Sequence, residues 1–248
     1  MHALKVEALS KSFGGLQAVK DVSFRLEVGE RRGIIGPNGA GKTTLFNLVT
    51  GQLRPDAGHI SMFDRDVTSM AIHRRIKMGL SRTFQVTNLL PNLTVIDNVV
   101  LALQALRPSA FGMFRPLTDY EELYAEAEKL MVPWGLWETA DRLVRDLSYG
   151  QQRCLELVLS IASKPKLLLL DEPTCGMTPT EVANITNMIH ALGKNIAIVL
   201  IAHDMDWVFG LDLHSVNVLH YGQIVAEGSP KEIRVNSKVR EIYLGSED

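Results

Sequence analysis

Gly36-Pro37-Asn38-Gly39-Ala40-Gly41-Lys42-Thr43 is a complete G-x-x-x-x-G-K-[ST] loop. Its glycines let the backbone curl so that several N–H groups converge on one centre, where an anion would sit. Lys42 brings a positive charge for β- and γ-phosphates, and Thr43 brings a hydroxyl for Mg²⁺. The flanks agree. Arg32–Ile35 is a short buried-strand pattern, and Thr44–Thr50 carries apolar residues at helical spacing. A helix starting at Gly41 or Lys42 aims its positive dipole end at the same centre. The stretch predicts a strand, a nucleotide-binding turn and a helix, and hence an α/β fold with a bound nucleoside triphosphate.

The chain has 248 residues, of which 22% are charged, with a net charge of −2. That length supports one large core or a core with a subdomain. The near-neutral charge, without a long basic run, argues against a nucleic-acid surface. Cys154 and Cys175 form neither a ligand-spaced cluster nor a disulfide framework, and read as two reduced thiols without a role. The start, Met1–Glu7, has no signal-peptide pattern, and the apolar runs Leu167–Leu170 and Ile196–Ala202 are too short to span a bilayer. A soluble chain is expected, with any membrane role exercised through partners.

Before the loop, Leu4–Leu9 and Val22–Val28 alternate like half-buried strands, giving a β-rich N-terminal layer. Phe13 falls in the turn after the first, where its ring could stack on a base. Residues 71–78 read as a short helix whose Arg74, Arg75 and Lys77 are solvated charge. Leu80–Gln85 reads as a strand running into a loop, and Gln85 is an amide able to orient a water or reach Mg²⁺. From Thr94 to Val132 the period becomes helical, interrupted by a Pro/Gly-bounded loop at 107–116.

Ser148 is a fitting N-cap for a helix beginning Tyr149-Gly150-Gln151, a second anion-favouring helix end far in sequence from the first. Leu167–Leu170 is a buried parallel-strand pattern that delivers Asp171 and Glu172 at its C-terminal end, where ligands bind in open α/β sheets. Asp171 can hold Mg²⁺, and Glu172 can polarise a water for in-line attack on a γ-phosphate. Ile196–Ala202 is a second such strand, ending at His203, which could donate to the γ-phosphate. A hairpin around Tyr221-Gly222 and one helix over 230–244 complete the chain.

This set, in this order, resembles the ATP-binding subunit of an ABC transporter, over essentially the whole chain. Gly36–Thr43 corresponds to Walker A, Gln85 to the Q-loop and Leu147-Ser148-Tyr149-Gly150-Gln151 to the signature. Leu167–Glu172 corresponds to Walker B, His203 to the switch histidine and Phe13 to the adenine-stacking aromatic. More narrowly, the chain is similar to branched-chain amino acid importer ATPases, the LivG type. Tyr149 in the signature, His203-Asp204-Met205, Val225–Pro230 and the ending Val239–Gly245 carry that likeness. Importers of urea, short amides or aromatic acids share these features.

The resemblance implies a P-loop NTPase cassette with a RecA-like core, an N-terminal antiparallel β layer and a helical signature subdomain. Residues 1–86 and 164–248 would form the core with its β layer, and 87–163 the subdomain. ATP and Mg²⁺ are the implied cofactors. ATP would meet Phe13, Gly36 to Thr43, Thr44 and, from a neighbouring chain, Ser148, Gly150 and Gln151; Mg²⁺ would meet Thr43, Gln85 and Asp171. Glu172, His203 and Gln85 would carry hydrolysis. Implied partners are a second ATPase subunit, two transmembrane permease subunits at the cytoplasmic face of the membrane, and an extracytoplasmic solute-binding protein. The departures are Ala202, where the family has Glu, and Thr178, where it has Asp or Asn. The rival readings are a soluble ATPase of DNA repair or translation, which usually carries two cassettes or basic surfaces, and a lipid or lipopolysaccharide exporter.

Overall fold

A computed structural model describes residues 1–83, 89–107 and 121–244. They form two compact units, one of residues 1–82, 166–173 and 190–248, the other of 83–165 and 174–189.

The first unit holds two sheets. One is antiparallel, in the order β2 (Leu16–Glu27), β1 (His2–Phe13), β4 (Ala57–Met62), β5 (Arg65–Asp66). The first strand runs on to Phe13, further than its alternation implies. Register shifts between Val6 and Leu9 and between Leu9 and Lys11 absorb the break in the pattern. Phe13 therefore closes a hairpin opposite Leu16.

The second sheet has the order β10 (Gln223–Gly228), β9 (Ser215–His220), β3 (Arg31–Ile35), β8 (Ala197–Ala202), β7 (Leu167–Asp171), β6 (Leu80–Arg82). All its neighbours are parallel except β10 on β9. Every residue of β3, β7 and β8 is buried; β8 and Leu167–Leu170 of β7 accordingly read as continuous apolar runs, while β3 opens on two buried arginines. Helix α1 (Lys42–Thr50) buries Leu45, Phe46, Leu48 and Val49 in one core with Leu4 and Val6 of β1, Ile60 of β4 and Leu169 of β7.

Helix α2 (Ile72–Lys77) corrects one expectation. Arg75 is buried, not solvated. Its guanidinium donates to the Leu48, Val49, Met70 and Thr68 carbonyls, two of them at the end of α1. A helix C-terminus leaves carbonyls without partners, and a five-donor side chain answers several at once. Burial lowers the Arg75 pKa to about 10. The C-terminal segment also differs: two helices, α8 (Pro230–Val235) and α9 (Ser237–Leu244), meet at Asn236.

The second unit packs α3 (Val95–Ala105), α4 (Glu121–Met131) and α5 (Tyr149–Ala162) through Val99, Val100, Leu103, Leu123, Ala127, Leu155 and Val158. Most of α6 (Pro179–Ala191) belongs to it. The buried Asn98 amide pins the approach to α3, accepting from the Leu90 N–H and donating to the Leu90 and Thr94 carbonyls. Back in the first unit, α7 (Met205–Gly210) follows β8.

Candidate functional site

Three adjacent strands end side by side. Ile35 of β3 pairs with Ala202 of β8, and Ile201 of β8 with Asp171 of β7. The residues that follow, Gly36, His203 and Glu172, therefore leave the sheet on one edge, the carboxyl edge where ligands gather in parallel sheets. Topology thus brings together segments more than a hundred residues apart.

The loop after β3 makes a tight turn. Gly41 caps α1 with φ +101, and a Cβ there would run into the Ala18 carbonyl, so only glycine fits. Lys42 is buried, its ammonium donating to the Gly36 and Pro37 carbonyls at 2.7 and 3.0 Å. Burial depresses its pKa, against the pull of Glu172 and Asp171. Residues 38–44 line a cleft of about 370 Å³ together with Phe13, Leu16, Gln17, Ala18, Tyr221 and Gly222. Phe13 is 47% exposed and Tyr221 81% exposed, so one wall offers two aromatic rings. Tyr221 was legible only as a hairpin turn; strand order alone carries it to the phosphate loop.

Asp171 is buried, and Arg82 at the end of β6 donates to its Oδ2 at 2.6 Å. Burial raises the Asp171 pKa, while Arg82 works the other way. Arg82 also donates to Asn47 Oδ1 at 2.6 Å and Gln52 Oε1 at 3.0 Å, tying β6 to α1 and the turn after it. No sequence motif marks Arg82. Glu172 has φ +45, a left-handed backbone rare outside glycine, held by its N–H donating to the Ile201 carbonyl. Such strain costs on the order of 1 kcal/mol and clusters at functional sites. Its Oε2 lies 3.6 Å from His203 Nδ1. A carboxylate thus stands beside an imidazole on the strand edge that also carries the Gly36–Thr43 loop. Gln85 lies outside the described residues, as do residues 108–120 of the long loop.

Ser148, Gly150 and Gln151 lie in the second unit. Ser148 caps α5, accepting from the Gln151 N–H, while the Gln151 side chain accepts from the Ser148 N–H. Within the same unit, the Glu181 carboxylate takes the space a Cβ on Gly150 would need. Hydrogen bonds from Thr178, Gly150 and Ser148 hold its pKa down. A carboxylate thus rests on the α5 N-terminus, where an anion is favoured. Thr178 donates to Glu181 Oε2 through both its hydroxyl and its N–H, each at 2.9 Å, so the uncharged residue at this position serves as a helix cap.

The ABC transporter family model matches residues 19–175, and a branched-chain amino acid ATP-binding cassette transporter model matches residues 223–248. The high-affinity branched-chain amino acid transport ATP-binding protein LivG of Salmonella typhimurium is 38% identical over 249 residues, covering 98% of this chain and 97% of that protein. This chain belongs to the ATP-binding subunits of ABC transporters.

The lipopolysaccharide export system ATP-binding protein LptB of Acidithiobacillus ferridurans is 34% identical, over 98% of this chain and 97% of that protein. The ADP conformation of a solved ABC transporter cassette superposes with a TM-score of 0.87 at 31% identity, over 99% of this chain and all of that one. An ABC ATP-binding subunit binds ATP and hydrolyses it to ADP and phosphate in the service of transport, and the cassette described here has that fold throughout. Its C-terminal helix adds a contact the motifs do not announce. The hydroxyl of Tyr243, on α9, is buried beside the backbone N–H of Gly36, without closing a hydrogen bond of normal geometry.

Proposed function

We propose that this cassette powers the import of branched-chain amino acids. The observation that carries the solute class is the match of residues 223–248 to the branched-chain amino acid cassette family. The near-full-length likeness to LivG supports the same reading. The likeness to LptB over the same length makes lipopolysaccharide export the reading to test against.

In this reading ATP stacks on Phe13, with Tyr221 on the same wall, and its phosphates lie across residues 36–44. Lys42 turns from the loop carbonyls to the β- and γ-phosphates. The donors fit Mg²⁺: one hydroxyl at Thr43 and one carboxylate at Asp171, with no cluster of three or more His, Cys, Asp or Glu among the described residues. Mg²⁺ commonly takes one or two protein ligands and fills its octahedron with phosphate oxygens and water. When bound it neutralises charge on the β- and γ-phosphates. Glu172 orients and deprotonates the attacking water, and His203, within reach of Glu172, donates to the γ-phosphate.

A second cassette packs head to tail, so that Ser148 and Gly150 of one chain close over the γ-phosphate held by the other. Gln85 and the helical stretch 87–163 face two permease subunits. The chain itself works from the cytoplasmic face; among the described residues no helix is long and apolar enough to cross a membrane. An extracytoplasmic binding protein supplies the solute.

The test is reconstitution with the co-encoded permeases and binding protein in liposomes. Leucine-loaded binding protein should stimulate ATP hydrolysis and drive ATP-dependent leucine uptake. Stimulation by urea, an aromatic acid or lipopolysaccharide, with none by leucine, isoleucine or valine, would reassign the solute.

A further inference from the structure

Arg31 and Arg32 are neighbours on β3, and both are at least nine-tenths buried. Their surroundings differ. Arg32 is fully engaged, with Glu30 at 3.0 Å, Glu227 at 2.6 Å and Asn217 at 2.8 Å. The Arg31 side chain makes one hydrogen bond, from Nη2 to the Leu192 carbonyl at 3.0 Å, and has no carboxylate within ion-pair distance among the described residues. A guanidinium carries five N–H donors and does not deprotonate, so burying one without a counter-charge is costly unless an anion completes it.

Arg31 lines a cleft of about 420 Å³ with Gly29, His190, Lys194, Asp212 and His214. Lys194, His190 and His214 are exposed at its rim, and Asp212 is the one acid. His214 is oriented: its ring Nδ1 accepts from the Arg31 backbone N–H at 3.1 Å, and its backbone N–H donates to the Arg31 carbonyl at 2.9 Å. An accepting Nδ1 puts the neutral ring's proton on Nε2, leaving a donor on the side away from β3. The cleft therefore presents a buried planar fork, an exposed ammonium and an oriented imidazole N–H around a single carboxylate.

The cleft is remote from the nucleotide. Arg31 opens β3 and Gly36 follows its other end, so five strand residues, roughly 16 Å at about 3.3 Å each, separate the two.

We propose that this cleft is a second anion site, for a small metabolite bearing a phosphoryl or carboxylate group that the Arg31 fork grips in bidentate fashion. Lys194 and the His214 Nε2–H supply the outer contacts. Its volume falls in the range of small-ligand clefts.

The test is calorimetric titration of the full chain, with the nucleotide site saturated by ADP, using inorganic phosphate in one arm and succinate in the other. At least one probe should bind with a millimolar or tighter Kd. Arg31→Met, which keeps the volume and loses the charge, should weaken it at least tenfold while ADP affinity stays unchanged. Should Arg31→Met fail to fold, Lys194→Glu at the exposed rim decides, with the same tenfold loss expected. A preference for phosphate or for succinate assigns the ligand class. Absence of binding by both probes, or equal affinity in the folded variants, overturns the proposal.

Discussion

The Arg82 guanidinium donates to the Asp171 carboxylate at 2.6 Å, and the two side chains are 6% and 1% exposed. This pair joins the short edge strand β6 to the strand that carries the candidate Mg²⁺ ligand. Removing one partner of a buried pair leaves the other charge stranded, which typically costs about 3–5 kcal/mol. Arg82→Ala should therefore lower the unfolding free energy by an amount in that range, seen as a lower urea midpoint with the slope unchanged. Asp171→Asn should cost less, because an amide still accepts from Arg82. Equal midpoints for Arg82→Ala and the wild type would show that the pair does not hold the strand ends together.

In the proposed mechanism Glu172 serves catalysis and Lys42 serves binding. Glu172→Gln keeps a side chain of the same shape and removes only the base, so ATP affinity should persist while turnover falls at least 100-fold. The ATP-bound dimer should then persist on a sizing column. Lys42→Ala removes the charge proposed to meet the phosphates, and should weaken ATP binding itself by calorimetry. Undiminished hydrolysis in Glu172→Gln would remove Glu172 as the base.

The Glu181 carboxylate rests where the α5 N-terminus would receive a neighbour's γ-phosphate. In the proposed dimer two anions would compete for that place, so closure would require Glu181 to yield. Glu181→Gln keeps much of the hydrogen bonding and drops the charge. In a Glu172→Gln background it should shift ATP-driven dimerisation to lower ATP concentration, read by analytical ultracentrifugation. An unchanged or rightward-shifted dimerisation curve would mean that the carboxylate does not compete.

The parts of the site that were legible in sequence are those whose chemistry is local. The phosphate loop needs glycines at fixed spacing, a strand before it and a helix after it, and Gly36 to Thr43 shows all three. The buried strands were legible because Leu167–Leu170 and Ile198–Ile201 are apolar on both faces. Arg82, Glu181 and Tyr221 were not legible, because their importance comes from strand order and helix contact across long stretches of chain. Arg75 misled for a related reason. A basic residue on a short helix reads as solvated unless one knows that the carbonyls at the end of α1 lie beneath it. Phe13 lines the cleft beside residues 38–44, but it ends a strand whose bulges the alternation pattern does not reveal.

Tyr243 gives a prediction in the alkaline range. Burial raises its hydroxyl pKa to about 12, from an ordinary value of 10.0, and the neighbouring Gly36 N–H offsets this only in part. Below pH ~10 the phenol is neutral in both folded and unfolded chains, and contributes no pH dependence. Between pH ~10 and ~12 the unfolded chain loses the proton while the folded chain keeps it. The unfolded state then binds fewer protons, so stability falls as pH rises, by roughly 2 kcal/mol across the window. Tyr243→Phe should remove that loss. At pH 7 the variant should lie within about 1 kcal/mol of wild type, since the hydroxyl closes no normal hydrogen bond. Urea midpoints at pH 9 and pH 11.5 for both proteins give the comparison. The variant should gain on the wild type at the higher pH, whatever the other groups titrating there contribute to both. A difference that stays constant between the two pH values would place the Tyr243 hydroxyl in water, away from Gly36.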